Sequence, residues 1–317
     1  MLCPGSKIAI VNCSDARWER ARPRVDRLVE YLEGLGITAK LSPRIFVRYL
    51  DPGLTDDDEI NPYDDQIHPY DYAHPAADDV RARILQHYFA DPEIDAIFDI
   101  SGGDIANGVL AHLDFDVIRA NPKPFFGYSD LSTVVNALHV ETGETTYLWQ
   151  LLHLGTNEYG DARERFERSI VAGPAGPAGP AAPGDLFELE DLSFLQGDGM
   201  EGKLVGGNLR AFLKLAGTRW FPDLDGTILA IESLGSTSPH VTTYLTQLGH
   251  IGAFERCAGL LIGQHTRLAR FSGDEAIEQI LADVVPPQIP IAQTSLFGHS
   301  PDSRALRIGG HYSFSSS

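Results

Sequence analysis

Strand-like and helix-like stretches take turns through the first half of this chain, and that alternation constrains the fold more than any other feature. "KIAIVNCS" (residues 7–14), "ITAKLS" (37–42), "IDAIFDIS" (94–101) and "PFFG" (124–127) read as buried strands. Residues 15–36, 75–91, 102–113 and 131–142 read as helices. In the first of these, Val25, Leu28, Val29 and Leu32 recur at helical spacing, with Pro23 marking a start and Gly36 a stop. Short apolar strands separated by helices predict a mostly parallel sheet covered on both faces, an α/β fold. Ligand sites in such sheets form beyond the carboxyl ends of the strands. Two of those ends carry candidate chemistry: the Gly102-Gly103 pair, and the turn Gly127-Tyr128-Ser129-Asp130.

A length of 317 residues allows one or two domains. "VAGPAGPAGPAAPG" (171–184) has the composition of a semi-rigid, exposed linker, and its Gly-Pro-Ala run is far too short for a collagen helix. The second half reads as a smaller α/β domain with mixed sheet content. Short strands and glycine turns span 186–208, and a short helix spans 209–217. Strands follow at 227–233, 257–263 and 289–295, with helices at 239–254 and 274–284 and a closing strand over 305–314. The expected division is a nucleophile-bearing domain over 1–155, a linker over 156–185, and a second domain over 186–317.

Charge excludes one class of partner. Lys and Arg number 25 against 44 Asp and Glu, a net charge of −19. Nucleic-acid binding needs a basic stripe, so no such partner is expected. The one arginine-rich stretch, 17–27, is interleaved with Glu19 and Asp26 and reads as a solvated helix face. Residues 51–66 carry seven carboxylates and no base, which reads as a solvated surface loop, with cation binding as the alternative. No apolar run approaches the ~20 residues of a membrane span. The opening residues lack the basic start and small-residue cleavage site of a secretory signal. The expectation is a cytoplasmic enzyme with no membrane partner. Cys3, Cys13 and Cys257 are odd in number, scattered and without a CxxC, so neither a disulfide framework nor a zinc ribbon is expected.

Ser129 lies where the period changes from strand to helix. It reads either as the N-cap of the next helix or as a nucleophile exposed on a sharp strand-to-helix turn. The G-x-S-x-G pattern is half present: Gly127 stands two before, but Leu131 stands two after. Amides at a helix start face an anion, so the N–H of Asp130 is a candidate oxyanion donor. The glycine loop at Gly102-Gly103 can bring a second amide close. A serine needs a base. Among eleven histidines, His299 stands out in "QTSLFGHSPDS", directly after a predicted strand. Glu232 closes the apolar strand "TILAIES" and needs a partner to stay ionised, either an arginine or a histidine that it orients. His139 reads as packed. His68, His74, Asp71, Asp78 and Asp79 cluster in sequence, but their spacing fits no standard ligand set, so neither metal nor cofactor is expected. Arg304 and Arg267 are candidates for binding a substrate carboxylate.

Two long blocks, "GGDIANGVLAHLDFDVIRANPKPFFGYSDLSTVVNALHVETG" and "GKLVGGNLRAFLKLAGTRWFPDLDGTILAIES", closely resemble the LD-carboxypeptidase family of serine peptidases. That family includes murein tetrapeptide LD-carboxypeptidases and microcin C immunity peptidases. The serine of its G-Y-S-D motif matches Ser129, the glutamate closing the second block matches Glu232, and the histidine of its late "GH" turn matches His299. The separations, 103 and 67 residues, suit the shorter members. The resemblance implies a Ser-Glu-His triad with oxyanion amides from Asp130 and Gly103. It implies a flavodoxin-like N-terminal domain, similar to class I glutamine amidotransferases, a smaller swivelling C-terminal α/β domain, and a homodimer. The chain departs from the family after "ETGETTYLW", where "QLLHLGTN" replaces a Gly-Pro step, and after Glu232, where "SLGSTSPHVTTYL" lacks the usual arginine. Both stretches are expected to border the cleft. The implied activity is release of a terminal D-amino acid from murein tetrapeptide. The alternatives are a self-immunity amidase acting on a peptide–nucleotide antibiotic and a non-catalytic binding module. Between the two peptidase readings, the 103-residue interval leaves little room for a nucleotide-binding insertion.

Overall fold

A computed structural model describes residues 2–43, 45–47, 76–156, 160–171, 185–273 and 275–316; the acidic run 51–66, His68, Asp71 and His74, and residues 172–184 lie outside the described residues. In chain order the strands are β1 (Lys7–Val11), β2 (Arg17–Trp18), β3 (Thr38–Leu41), β4 (Phe46–Val47), β5 (Ala96–Asp99), β6 (Phe125–Gly127), β7 (Thr146–Leu148), β8 (Ser193–Gln196), β9 (Gly199–Asn208), β10 (Ile228–Ser233), β11 (Gly259–His265), β12 (Ile291–Gln293), β13 (Leu306–Ile308) and β14 (His311–Ser315). The α-helices are α1 (Arg22–Gly34), α2 (Ala76–Ala90), α3 (Phe115–Ala120), α4 (Ser132–Thr142), α5 (Gly160–Phe166), α6 (Leu209–Leu213), α7 (Ser238–His250), α8 (Ala253–Arg256), α9 (Thr266–Ser272) and α10 (Ala276–Val284).

The first sheet runs β13-β7-β6-β5-β1-β3, and its five strands from β3 to β7 are parallel. Leaving out the two-residue pair β2–β4, this is the flavodoxin order 2-1-3-4-5, whose switch point falls between β1 and β5. Alternate side chains feed opposite faces. Ala9, Val11, Ile97 and Phe125 join one core with α2, α3 and α4, while Ile8, Ile10, Phe98 and Phe126 join another with α1 and α5. The second sheet runs β14-β9-β10-β11-β12-β8, parallel from β9 to β12 with antiparallel edges. Among the described residues, no helix is long and apolar enough to cross a membrane.

Helix α4 lies between the sheets, and its residues Ser132 to Leu138 are all buried. Buried polar groups there need partners, and β9 supplies them. Asn136 Nδ2 donates to Gly206 O at 2.7 Å, Gly206 N returns a bond to Asn136 Oδ1 at 3.0 Å, and Asn208 N donates to Ser132 Oγ at 2.8 Å. Gly206 and Gly207 have φ of 114° and 131°, and Cβ atoms there would run into Ala230 O and Ser132 Oγ. Gly207 lets β9 approach α4 this closely, while Gly206 makes room for β10 in its own sheet.

Several local expectations change. The helix expected over 15–36 begins at Arg22, after β2 and a 3-10 turn over Glu19–Ala21. Residues 102–113 do not form an α-helix; Ala106–His112 is a 3-10 turn, with Gly108 packed so closely on Asp78 that a Cβ would not fit. The closing stretch 305–314 is two strands rather than one. β13 pairs antiparallel with β7 in the first sheet, and β14 pairs antiparallel with β9 in the second. Gly309, at φ 81° and pressed against the His139 ring, makes the break. Within 156–185, α5 and a π-helical turn over Glu167–Val171 pack on the first lobe, where Phe166 stacks on Trp149.

Candidate active site

β6 ends at Gly127, and a 3-10 turn over Ser129–Leu131 leads into α4. Ser129 has φ 60°, the one non-glycine residue with positive φ among the described residues. That conformation strains an L-residue and persists only where surrounding contacts impose it. Leu131 N bonds Tyr128 O at 3.1 Å, and Thr133 Oγ1 bonds Asp130 O at 2.8 Å. A Cβ on Gly127 would meet the Leu131 side chain, so the tight entry needs glycine. The helix-cap alternative does not hold. Tyr128 and Leu131 occupy the cap positions without side-chain bonds, and Ser129 Oγ lies 3.0 Å from His299 Nε2.

His299 stands in the turn after β12. Gly298 O accepts from Ser303 Oγ at 2.5 Å and from the Tyr128 hydroxyl, and Ser300 N donates to Gln264 Oε1 at 3.1 Å. The Tyr128 ring meets the imidazole edge-on, with centroids 5.0 Å apart. Burial first, and then Glu232, raise the Tyr128 phenol well above its ordinary pKa, so it stays a neutral donor. His299 Nδ1 is 2.7 Å from Glu232 Oε2. Glu232 is fully buried near the end of β10, and its Oε1 accepts from Asn208 Nδ2 at 3.0 Å. With the carboxylate accepting Nδ1–H, Nε2 is left as an acceptor facing the serine hydroxyl. The three residues singled out from sequence therefore form one continuous hydrogen-bonded line across the two lobes.

The neighbouring Asp130 is also buried, and its carboxylate is fully engaged. It accepts from Ser14 Oγ at 2.7 Å, Ala106 N at 2.7 Å and Lys214 Nζ at 2.5 Å. Lys214 donates as well to Asp104 O at 2.7 Å, while Arg210 pairs with the Asp104 carboxylate and donates to Gly103 O at 3.4 Å. Two cations of the second lobe thus grip the double-glycine loop of the first. Gly103 has φ 132°, and a Cβ there would run into the Asp15 carboxylate. Burial first, then Asp130 and Asp104, push Asp15 up to about 6.

The family models decide what kind of chain this is. The LD-carboxypeptidase N-terminal domain matches residues 8–148, and the LD-carboxypeptidase C-terminal domain matches residues 201–314. The chain belongs to the LD-carboxypeptidase family. A putative carboxypeptidase of Bacillus subtilis, YocD, is 30% identical over 245 residues, covering 73% of this chain and 75% of that protein. A probable murein peptide carboxypeptidase of the same organism is 28% identical over 237 residues, covering 73% and 72%. A solved structure of MccF in complex with glutamyl sulfamoyl guanosine shares the fold, with a TM-score of 0.78 at 21% identity over 100% of this chain and 97% of that one. This LD-carboxypeptidase family member is accordingly a hydrolase of the carboxypeptidase type, with the two-lobed α/β fold that its motifs imply.

Several residues around the line escape sequence reasoning. Tyr128 lies in the G-Y-S-D motif, and Asn208 and Lys214 lie in the second block, but nothing in those motifs assigns them a role, and Ser14 lies outside both blocks. Of the two arginines considered for a carboxylate, Arg304 is buried and pairs with Glu190 at 2.6 Å, while Arg267 is exposed, with its guanidinium 5.6 Å from the exposed Phe271 ring. His139 is a packing residue, with Nδ1 2.8 Å from Glu144 O. Asp78 pairs with Arg81, and Asp79 with Arg83 at 2.9 Å. Among the described residues, no group of three or more His, Cys, Asp or Glu side chains could hold a metal ion.

Proposed function

We propose that the protein is a serine LD-carboxypeptidase that releases the terminal D-alanine of a murein tetrapeptide. The observation that carries this reading is the line Ser129 Oγ to His299 Nε2 at 3.0 Å and His299 Nδ1 to Glu232 Oε2 at 2.7 Å. Ser129 Oγ attacks the carbonyl carbon of the last peptide bond as His299 Nε2 takes its proton. Glu232 holds the imidazole tautomer and stabilises the imidazolium. The amides of Asp130 and Gly103 receive the developing oxyanion, each worth about 3 kcal/mol of barrier. Collapse breaks the C–N bond, and His299 gives its proton to the departing amine of D-alanine. Water then attacks the acyl ester, loses a proton to His299, and frees the tripeptide carboxylate as the proton returns to Ser129 Oγ.

A second reading, an immunity amidase acting on an aminoacyl–nucleotide, draws support from the shared MccF fold. Against it, Trp149 is locked in the core on Phe166 and offers no stacking face to a base. Murein tetrapeptide and glutamyl sulfamoyl adenosine assayed side by side separate the two. D-alanine release from the first with no cleavage of the second is the expected result. The reverse result replaces the proposal with the amidase.

A further inference from the structure

A carboxypeptidase must recognise a free terminal carboxylate; Arg304 is paired with Glu190, and Arg267 sits exposed beside Phe271. The stretch after β1 supplies other cations. Sequence reads residues 17–27 as a solvated face, but three of its arginines bond backbone carbonyls, Arg17 and Arg24 from half-buried positions and Arg27 from an exposed one. Arg17 Nε donates to Ile100 O at 2.7 Å, and its Nη2 joins the same oxygen. Arg24 Nε donates to Leu152 O at 3.0 Å, and Arg27 Nε to Gly155 O at 3.1 Å. Ile100 O belongs to backbone that has just left β5, and Leu152 O and Gly155 O to the 3-10 turn Leu151–Gly155 that follows β7.

Arg17 is the unusual one. Both of its bonds go to one carbonyl, and among the described residues it makes no ion pair with a carboxylate. Burial lowers its pKa, Arg24 adds to that, and Asp99 and Asp15 oppose it. Asp99 and Asp15 offset part of the charge from a distance, but no carboxylate among the described residues closes on the guanidinium, which leaves its remaining N–H donors for a ligand. His153 reports the same field: burial, then Arg24, His299 and Arg17, hold its imidazole down to about 4. Arg17, Arg24 and His299 thus all lie close enough to His153 to act on it.

Its position fits the chemistry. Arg17 reaches across the switch point between β1 and β5, where the crevice of this topology opens. The register Ile97↔Phe125 and Phe98↔Phe126, continued by two residues, sets Ile100 beside Tyr128, next to Ser129. Ile100 N donates to Val11 O, so Ile100 faces β1, and the guanidinium held on its carbonyl lies one strand over from Ser129. Substrate laid across the crevice at the switch point meets both strand ends.

We propose that Arg17, backed by Arg24, is the subsite that receives the terminal carboxylate of the scissile D-residue. This rests on the LD-carboxypeptidase reading above. Tetrapeptide acid and its C-terminal carboxamide, assayed together, isolate the carboxylate. Wild type should prefer the acid by about 100-fold in kcat/KM. Arg17→Gln should lower kcat/KM for the acid about 100-fold, chiefly through KM, and move the carboxamide less than about threefold. Arg17→Lys should recover part of the preference, since it keeps the charge but not the fork. Equal losses on both substrates, or a preference retained in Arg17→Gln, overturn the subsite.

A binding arm needs no turnover. In nuclear magnetic resonance titrations, N-acetyl-D-alanine should bind wild type and Ser129→Ala, N-acetyl-D-alaninamide should not, and Arg17→Gln should lose the difference. If that holds while the tetrapeptide is left uncleaved, the murein reading fails and the carboxylate subsite stands. If wild type binds neither compound, or both alike, the subsite is wrong.

Discussion

Ser129 and His299 both sit in turns that follow parallel strands, β6 in one lobe and β12 in the other, yet the turns are built differently. The serine turn is set by backbone: φ 60° at Ser129, a glycine entry, and a buried carboxylate next door that collects three donors. The histidine turn is set by side chains reaching to it, Tyr128 and Ser303 to Gly298 O and Gln264 to Ser300 N, and Tyr128 comes from the opposite lobe. The first geometry is held mainly by its own lobe, with Lys214 the one donor from the other. The second combines Ser303 and Gln264 with Tyr128 from across the cleft, so part of it depends on the lobes staying packed. Substitutions in the two turns should therefore fail in different ways.

The largest effect tests the strained turn. Ser129→Ala should lower kcat for tetrapeptide about 10⁶-fold. Ser129→Gly should lose as much activity but gain about 1 kcal/mol in urea unfolding, because glycine accepts φ 60° freely. A glycine variant no more stable than the alanine variant would show that the turn is not strained. Next, Glu232→Gln should cost about 10⁴-fold in kcat with little change in melting temperature, by removing the carboxylate that fixes the His299 tautomer. A loss below tenfold would leave Glu232 as packing.

Smaller again, Asp130→Asn should destabilise the fold by about 3 kcal/mol in denaturant titration, since it removes the buried charge that Lys214, Ser14 and Ala106 donate to and leaves Lys214 with Asp104 alone. An unchanged midpoint would mean that the first lobe does not lean on the second here. The smallest effect belongs to Asp15, whose pKa rises from 3.8 to about 6 on folding. The protonated form is favoured in the folded chain, so this group's contribution is complete below about pH 3.8 and is lost as pH climbs through about 6. Asp15→Asn should raise the melting temperature by a few degrees at pH 7.5 and leave it nearly unchanged at pH 3.5. Equal gains at both values would point to packing instead of charge.

The parallel core of the first lobe is legible because its strands are short, apolar and separated by helical spacing. Ser129 is visible as a change of period. Glu232 and His299 are not visible alone: a carboxylate at a strand end and a histidine in a turn are common, and separations of 67 to 103 residues leave no local trace. Only the ordered motifs of the family assign them a role. The carbonyl-bonded arginines escape the sequence because charge pattern reports solvation, not which backbone carbonyls lie within reach. The split of residues 305–314 is hidden because both pieces have strand composition, and a two-glycine break does not say that the pieces serve different sheets.

That split has a consequence for how the molecule moves and how it can be cut. β13 and β14 are joined by two residues and hold an edge of each sheet. The pair acts as a short strap sewn to both halves, so wide opening of the cleft would have to peel one seam. A protease nick at the Gly309-Gly310 bond should loosen that strap without touching a single reacting group, and the nicked protein should keep its fold but lose the imidazole's alignment.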